Sequence, residues 1–118
     1  MINRKYERVG FDCEIMYPSI LIENKTKTIT EENLTMCTTD ISEAGICVSC
    51  NYNIPSDCFL SFYLRIGSNI PFKALVLPRW IKYEEHQCLC GGEFVALTMN
   101  DINILKEYVS SNLAGHDN

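Results

Sequence analysis

Apolar and polar residues alternate along most of this chain. Phe11, Cys13, Ile15 and Tyr17 stand at every second position, and after Pro18 the apolar run resumes at Ile20-Leu21-Ile22. A period of two marks a strand with one buried face, and proline inside such a run marks an edge or a bulge. Segment 23–33 is dominated by Lys, Thr and Glu and predicts an exposed connection. A Thr-rich second strand is expected over Leu34–Ile41, then a tight turn at Ser42-Glu43-Ala44-Gly45, then a third strand alternating at Ile46, Val48 and Cys50. After a loop at 51–57, Cys58, Leu60, Phe62, Leu64 and Ile66 mark one face of a fourth strand. Phe72–Lys82 predicts a fifth strand bent at Pro78, and Leu89–Thr98 a sixth with a bulge at Gly91-Gly92.

The period then changes. Ile102, Leu105, Val109 and Leu113 recur at helical spacing, with Asn100 or Asp101 as N-cap and Gly115 where the helix would stop. The fold class expected is mainly β: a six-stranded antiparallel barrel that closes its own edges, with a C-terminal α-helix over one opening or face. At 118 residues the chain has room for one domain.

Net charge is −5, unevenly placed. Arg4, Lys5 and Arg8 against Glu7 give residues 1–8 a balance of +2, leaving −7 for the rest. Such a chain lacks the basic surface that grips long nucleic acid, but a short basic segment can hold a small anion. The N-terminus has no apolar run after its basic residues, so no secretory signal is read, and no stretch approaches the roughly 18 apolar residues of a membrane span. A cytoplasmic location is expected, with the seven cysteines reduced and packed as small hydrophobes.

Enzyme chemistry is not expected. His86 and His116 are the only histidines, and there is neither a phosphate-loop glycine pattern nor an HExxH. Zinc is the alternative that composition raises. Cys47-Val48-Ser49-Cys50 has C-x-x-C spacing, and His86, Cys88 and Cys90 cluster later. Yet residues three apart on a strand face opposite ways, so Cys47 and Cys50 should diverge, and no metal site is expected.

Two short motifs stand out. Arg4-Lys5-Tyr6-Glu7-Arg8 is an RxxxR, and Asp40-Ile41-Ser42-Glu43-Ala44-Gly45 is a DxSxxG at a turn between strands. In this order and on this strand plan, together with Val76-Leu77-Pro78-Arg79-Trp80 and Gly92-Glu93-Phe94, they resemble the PilZ domain family from Asn3 to about Leu113. The resemblance implies a six-stranded barrel with a terminal helix, and binding of the bacterial second messenger cyclic di-GMP. It assigns Arg4 and Arg8 to phosphate and guanine, and Asp40, Ser42 and Gly45 to guanine. Trp80 stands where related domains stack an aromatic or basic side chain near a guanine. Asn3 stands where many members carry a further basic residue, a departure that favours one bound ligand over a self-intercalated pair.

The chemistry suits these residue types. Arginine offers a rigid donor fork that fits phosphate oxygens and the O6/N7 edge of guanine. An ionised Asp40 accepts from the guanine N–H edge and rejects adenine there, while the Ser42 hydroxyl donates or accepts. Gly45 permits a positive φ or a close backbone approach. Arg79 should point away from Trp80, and Lys5 should add field rather than a specific bond. Residues 1–10 are expected to be a flexible ligand-binding segment that folds over its ligand, and 11–114 the barrel domain with its helix. The output expected is a conformational signal to a flagellar, exopolysaccharide or regulatory protein, from a monomer or weak homodimer. The alternatives are a PilZ-like adaptor that binds no nucleotide, or a zinc-stabilised β module.

Overall fold

A computed structural model of the chain describes residues 13–22, 27–29 and 34–116. In chain order the elements are β1 (Cys13–Ile22), β2 (Lys27–Ile29), β3 (Met36–Ile41), β4 (Gly45–Cys50), β5 (Cys58–Ile66), β6 (Phe72–Tyr83), β7 (Cys88–Val95) and α1 (Met99–His116). All strand pairs are antiparallel, in the order β2-β1-β5-β6-β7-β4-β3. Six principal strands thus form a curled sheet, and the short β2 adds a seventh.

The exposed connection expected over 23–33 contains β2, whose three residues pair with Ile20–Ile22. A pairing that short leaves no readable alternation. The expected mainly β fold of six principal antiparallel strands with a C-terminal helix is borne out, in an open rather than a closed form. β1 and β3 come into contact across the gap, but no strand pairing joins them among the described residues, so the sheet is a half-barrel.

The period-two pattern places the core. On β5, Cys58, Leu60, Phe62, Leu64 and Ile66 are buried in the concave interior, while Tyr63 and Arg65 face solvent. Ile20, Ile41, Val48, Val76, Cys88 and Cys90 join them from neighbouring strands. Leu105 and Val109 of α1 complete this cluster, so the helix covers the open side of the sheet. A half-barrel without that cover would leave its concave face wet; apolar burial at roughly 25 cal/mol per Å² fixes the helix there.

Local signals set the junctions. Strand β7 ends at Val95 rather than Thr98, because Ala96 adopts a left-handed φ of 61°. Thr98 is the helix N-cap in place of Asn100 or Asp101. Its hydroxyl accepts from the Asp101 amide at 3.1 Å, and the Asp101 carboxylate accepts from the Thr98 amide at 3.3 Å. The helix runs on through Gly115 to His116. In β1, a register shift between Met16 and Ser19 bulges the strand at Tyr17-Pro18, with Tyr17 at φ 55° and its ring edge-on to Tyr63.

Candidate functional site

Directly opposed residues of neighbouring strands share a face of the sheet. Asp40 is opposite Cys47, Cys47 opposite Gly91, and Gly91 opposite Trp80. These four residues make one row across β3, β4, β7 and β6 on the convex face. Three inter-strand spacings of about 4.8 Å set the Asp40 and Trp80 backbones roughly 14 Å apart along the sheet.

Two bulges produce this row. Register shifts by one residue between Thr38 and Asp40 on β3, and between Pro78 and Trp80 on β6. Thr39 and Arg79 are the inserted residues, and each bulge turns the following side chain outward. The Thr39 hydroxyl donates to the Cys47 carbonyl at 3.2 Å and holds the first bulge. In the second, Pro78 brings no N–H to the ladder, which suits an interrupted pairing. The bulge expected at Gly91-Gly92 therefore lies on the strand opposite those glycines.

The glycines leave room for groups of the neighbouring strand. A Cβ on Gly91 would collide with the Trp80 indole, and one on Gly92 with Val76 and the Leu77 carbonyl. Trp80 is 43% exposed and lies across Gly91, beside a cleft of about 290 Å³ lined by Ser56, Pro78, Arg79, Ile81 and Tyr83. Arg79 does not point away from Trp80. It is ion-paired to Glu93, which occupies the convex face with Gly91 two residues before it. The bulge puts both side chains on that face, where strict alternation would have split them.

The DxSxxG turn is built from its own polar groups. The Ser42 hydroxyl accepts from the Ala44 and Gly45 amides at 3.2 and 3.0 Å, and the Ser42 amide donates to the Gly45 carbonyl at 2.9 Å. Ser42 is buried by this arrangement. Gly45 allows close approach to backbone: a Cβ there would strike the Gly92 carbonyl oxygen. The Ala44 carbonyl in turn accepts from the Phe94 amide at 2.9 Å, tying the turn to β7. Arg4 and Arg8 lie outside the described residues, as does the 1–10 segment. By register, Cys13 opposes Ile66, so β1 starts at the same end of the sheet as the 42–45 turn.

The cysteines divide by face. Cys47 belongs to the convex row, while Cys50 opposes Cys88 in the interior, so the C-x-x-C pair diverges. No group of three or more His, Cys, Asp or Glu side chains able to hold a metal ion occurs among the described residues. Burial pushes the Cys90 thiol up to about 12 and, with help from the Asp57 charge, the Cys58 thiol up to about 11. Burial raises Cys50 as well. Thiols so held stay protonated and unreactive.

Sequence reasoning names Asp40, Ser42, Gly45 and Trp80 but not Cys47, Gly91 or the outward Arg79. The signal for them is Pro78 inside an alternating strand followed, one hairpin later, by two adjacent glycines. No helix among the described residues is long and apolar enough to cross a membrane.

No protein-family model matches the sequence, and no curated protein is similar to it in sequence. Among solved structures, the chain is similar to the Bacillus subtilis inhibitor of motility (MotI/DgrA), with a TM-score of 0.69 and 16% identity. The match covers all of this chain and 55% of that one. At that identity the likeness establishes a shared fold, and this chain spans about half the length of the protein it resembles.

Proposed function

We propose that this chain is a PilZ-type receptor for cyclic di-GMP that acts from the cytoplasm on a protein partner, without catalytic chemistry. The observation that carries the reading is the convex row with Asp40 at one end and Trp80 at the other. Between them Cys47 and Gly91 are buried, Gly91 beneath the Trp80 indole, and neither carries a long side chain that would stand between Asp40 and the ring. Trp80 offers a ring on which a guanine stacks, worth about 1–3 kcal/mol per base. Asp40 accepts from the guanine N–H edge. Ser42 and Gly45 belong to the site as the corner that aims Asp40.

Arg4 and Arg8 supply the charge for the two phosphates. Arg8 precedes Cys13 by five residues, at most about 17 Å of extended chain, and β1 begins at the turn's end of the sheet. The segment closes on the messenger and so changes the surface that a partner meets. Likeness in fold to an inhibitor of motility makes flagellar machinery the first partner to test.

Calorimetry with cyclic di-GMP tests the reading. Heat of binding and a thermal shift are expected at micromolar ligand, and their absence would reject it. Asp40→Ala or Arg8→Ala should weaken binding by about tenfold or more, since losing a charged hydrogen-bond partner costs about 1.5–3 kcal/mol. Unchanged affinity would reject the site.

A further inference from the structure

Beside the 42–45 turn, the rim of the half-barrel carries a hollow of about 610 Å³ that the messenger site does not use. Its walls are Glu43 and Ala44 of the turn, Glu93 and Phe94 of β7, Ala96 and Leu97 of the connection that follows, and Ile102 in the first turn of α1. Phe94, Leu97 and Ile102 are partly exposed, so the floor is apolar and accessible. The rim carries two carboxylates, and among the described residues no Lys, Arg or His lines it. Arg79, which is not part of the lining, pairs with Glu93 from the convex face.

An apolar floor under an acidic rim selects one kind of visitor: a side chain with an apolar stem and a cationic head, or a short segment alternating the two. We propose that this hollow is the docking site for a basic, apolar-bearing segment of a protein partner. The walls are held by fixed bonds rather than by loose loops. Phe94 is hydrogen-bonded to Ala44, Ala44 to the Ser42 hydroxyl, and Ile102 to the Thr98 carbonyl of the helix cap. The hollow is therefore formed before a partner arrives. Glu93 is the adjustable member, because Arg79 neutralises it in part, and whatever draws Arg79 away sharpens the negative rim. The assignment deepens the receptor reading by naming the partner's chemistry, yet docking itself needs no messenger.

The test uses the full chain without cyclic di-GMP, so its failure is separate from failure of the messenger site. Methyl resonances of Ala44, Leu97 and Ile102 are followed by NMR during titration with the acetylated, amidated tetrapeptide Arg-Ile-Leu-Arg and with Glu-Ile-Leu-Glu. Saturating shifts at these methyls with the basic peptide alone are expected. Glu43→Gln and Glu93→Gln should each weaken that peptide about two- to fivefold, and Arg79→Met should tighten it by a similar factor, as exposed charge pairs do. Equal response to both peptides, shifts centred elsewhere, or a Glu43→Gln/Glu93→Gln double variant that binds as well as the parent would overturn the proposal. So would methyl shifts on Arg4→Ala/Arg8→Ala substitution without peptide, which would seat the chain's own N-terminus in the hollow.

Discussion

The indole of Trp80 stands in the space that a side chain on Gly91 would need. The two residues face each other across β6 and β7, and the bulge at Arg79 aims the ring onto the bare backbone. Gly91→Ala forces the ring away from a backbone that cannot yield. The expected cost is about 1–3 kcal/mol, as for other overpacked sites. Denaturant unfolding measures it. Trp80 is the sole tryptophan, so a change in native emission reports the displaced ring directly. Unaltered emission and stability would show that the ring does not depend on Gly91.

Thr38 meets the other bulge from the inside. It is buried opposite Val48, and its hydroxyl has no hydrogen-bond partner among the described residues. A buried unpaired hydroxyl costs about 1–3 kcal/mol, whereas a methyl in its place costs nothing in hydrogen bonding. Thr38→Val should therefore stabilise the protein by about 1 kcal/mol, read as a higher denaturation midpoint. A lower midpoint would mean that the hydroxyl is satisfied.

These two positions also mark how far the sequence could be read. Alternation exposes the strands and their inward faces, because burying one face of a sheet requires it. It says nothing about which edges pair, so the half-barrel and the three-residue β2 stay hidden. Thr98 looks like the end of a strand until Ala96 turns left-handed and leaves it as a cap. Asp40 and Trp80 are legible as motif residues, but their common row is not. Strict alternation from the inward Thr38 would send Thr39 out and Asp40 in, and only the bulge reverses this.

The buried thiols give the protein a pH dependence above neutrality. Cys58 and Cys90 are held up to about 11 and 12, against an ordinary value near 9 that they regain on unfolding. Below about pH 9 both states keep these protons and stability is flat. Above it the unfolded chain releases protons that the folded chain retains, so stability falls as pH rises through the window from about 9 to 11. Each such thiol contributes a slope of up to about 1.4 kcal/mol per pH unit. Denaturation midpoints across that window check the sign, and Cys90→Ala should flatten the slope. Alkylation separates the same groups by face: exposed Cys37 should react in the native state, and Cys58 and Cys90 only after unfolding.

The convex row also separates the roles of its two ends. If Trp80 stacks on a guanine, Trp80→Ala should weaken cyclic di-GMP by about tenfold, within the 1–3 kcal/mol span of base stacking, while Trp80→Phe should keep most of the affinity. Asp40→Asn keeps the carbonyl acceptor but adds an N–H₂ donor against the guanine N–H edge, so it should lower affinity and relax discrimination against cyclic di-AMP. Because Gly91 sets the height of the ring, Gly91→Ala should weaken binding without touching either polar contact. Quenching of Trp80 emission on titration reads stacking in the parent, and calorimetry reads the variants. A Trp80→Ala protein that binds at parental affinity would leave Asp40 and the arginines as the whole site, and the row as an accident of register.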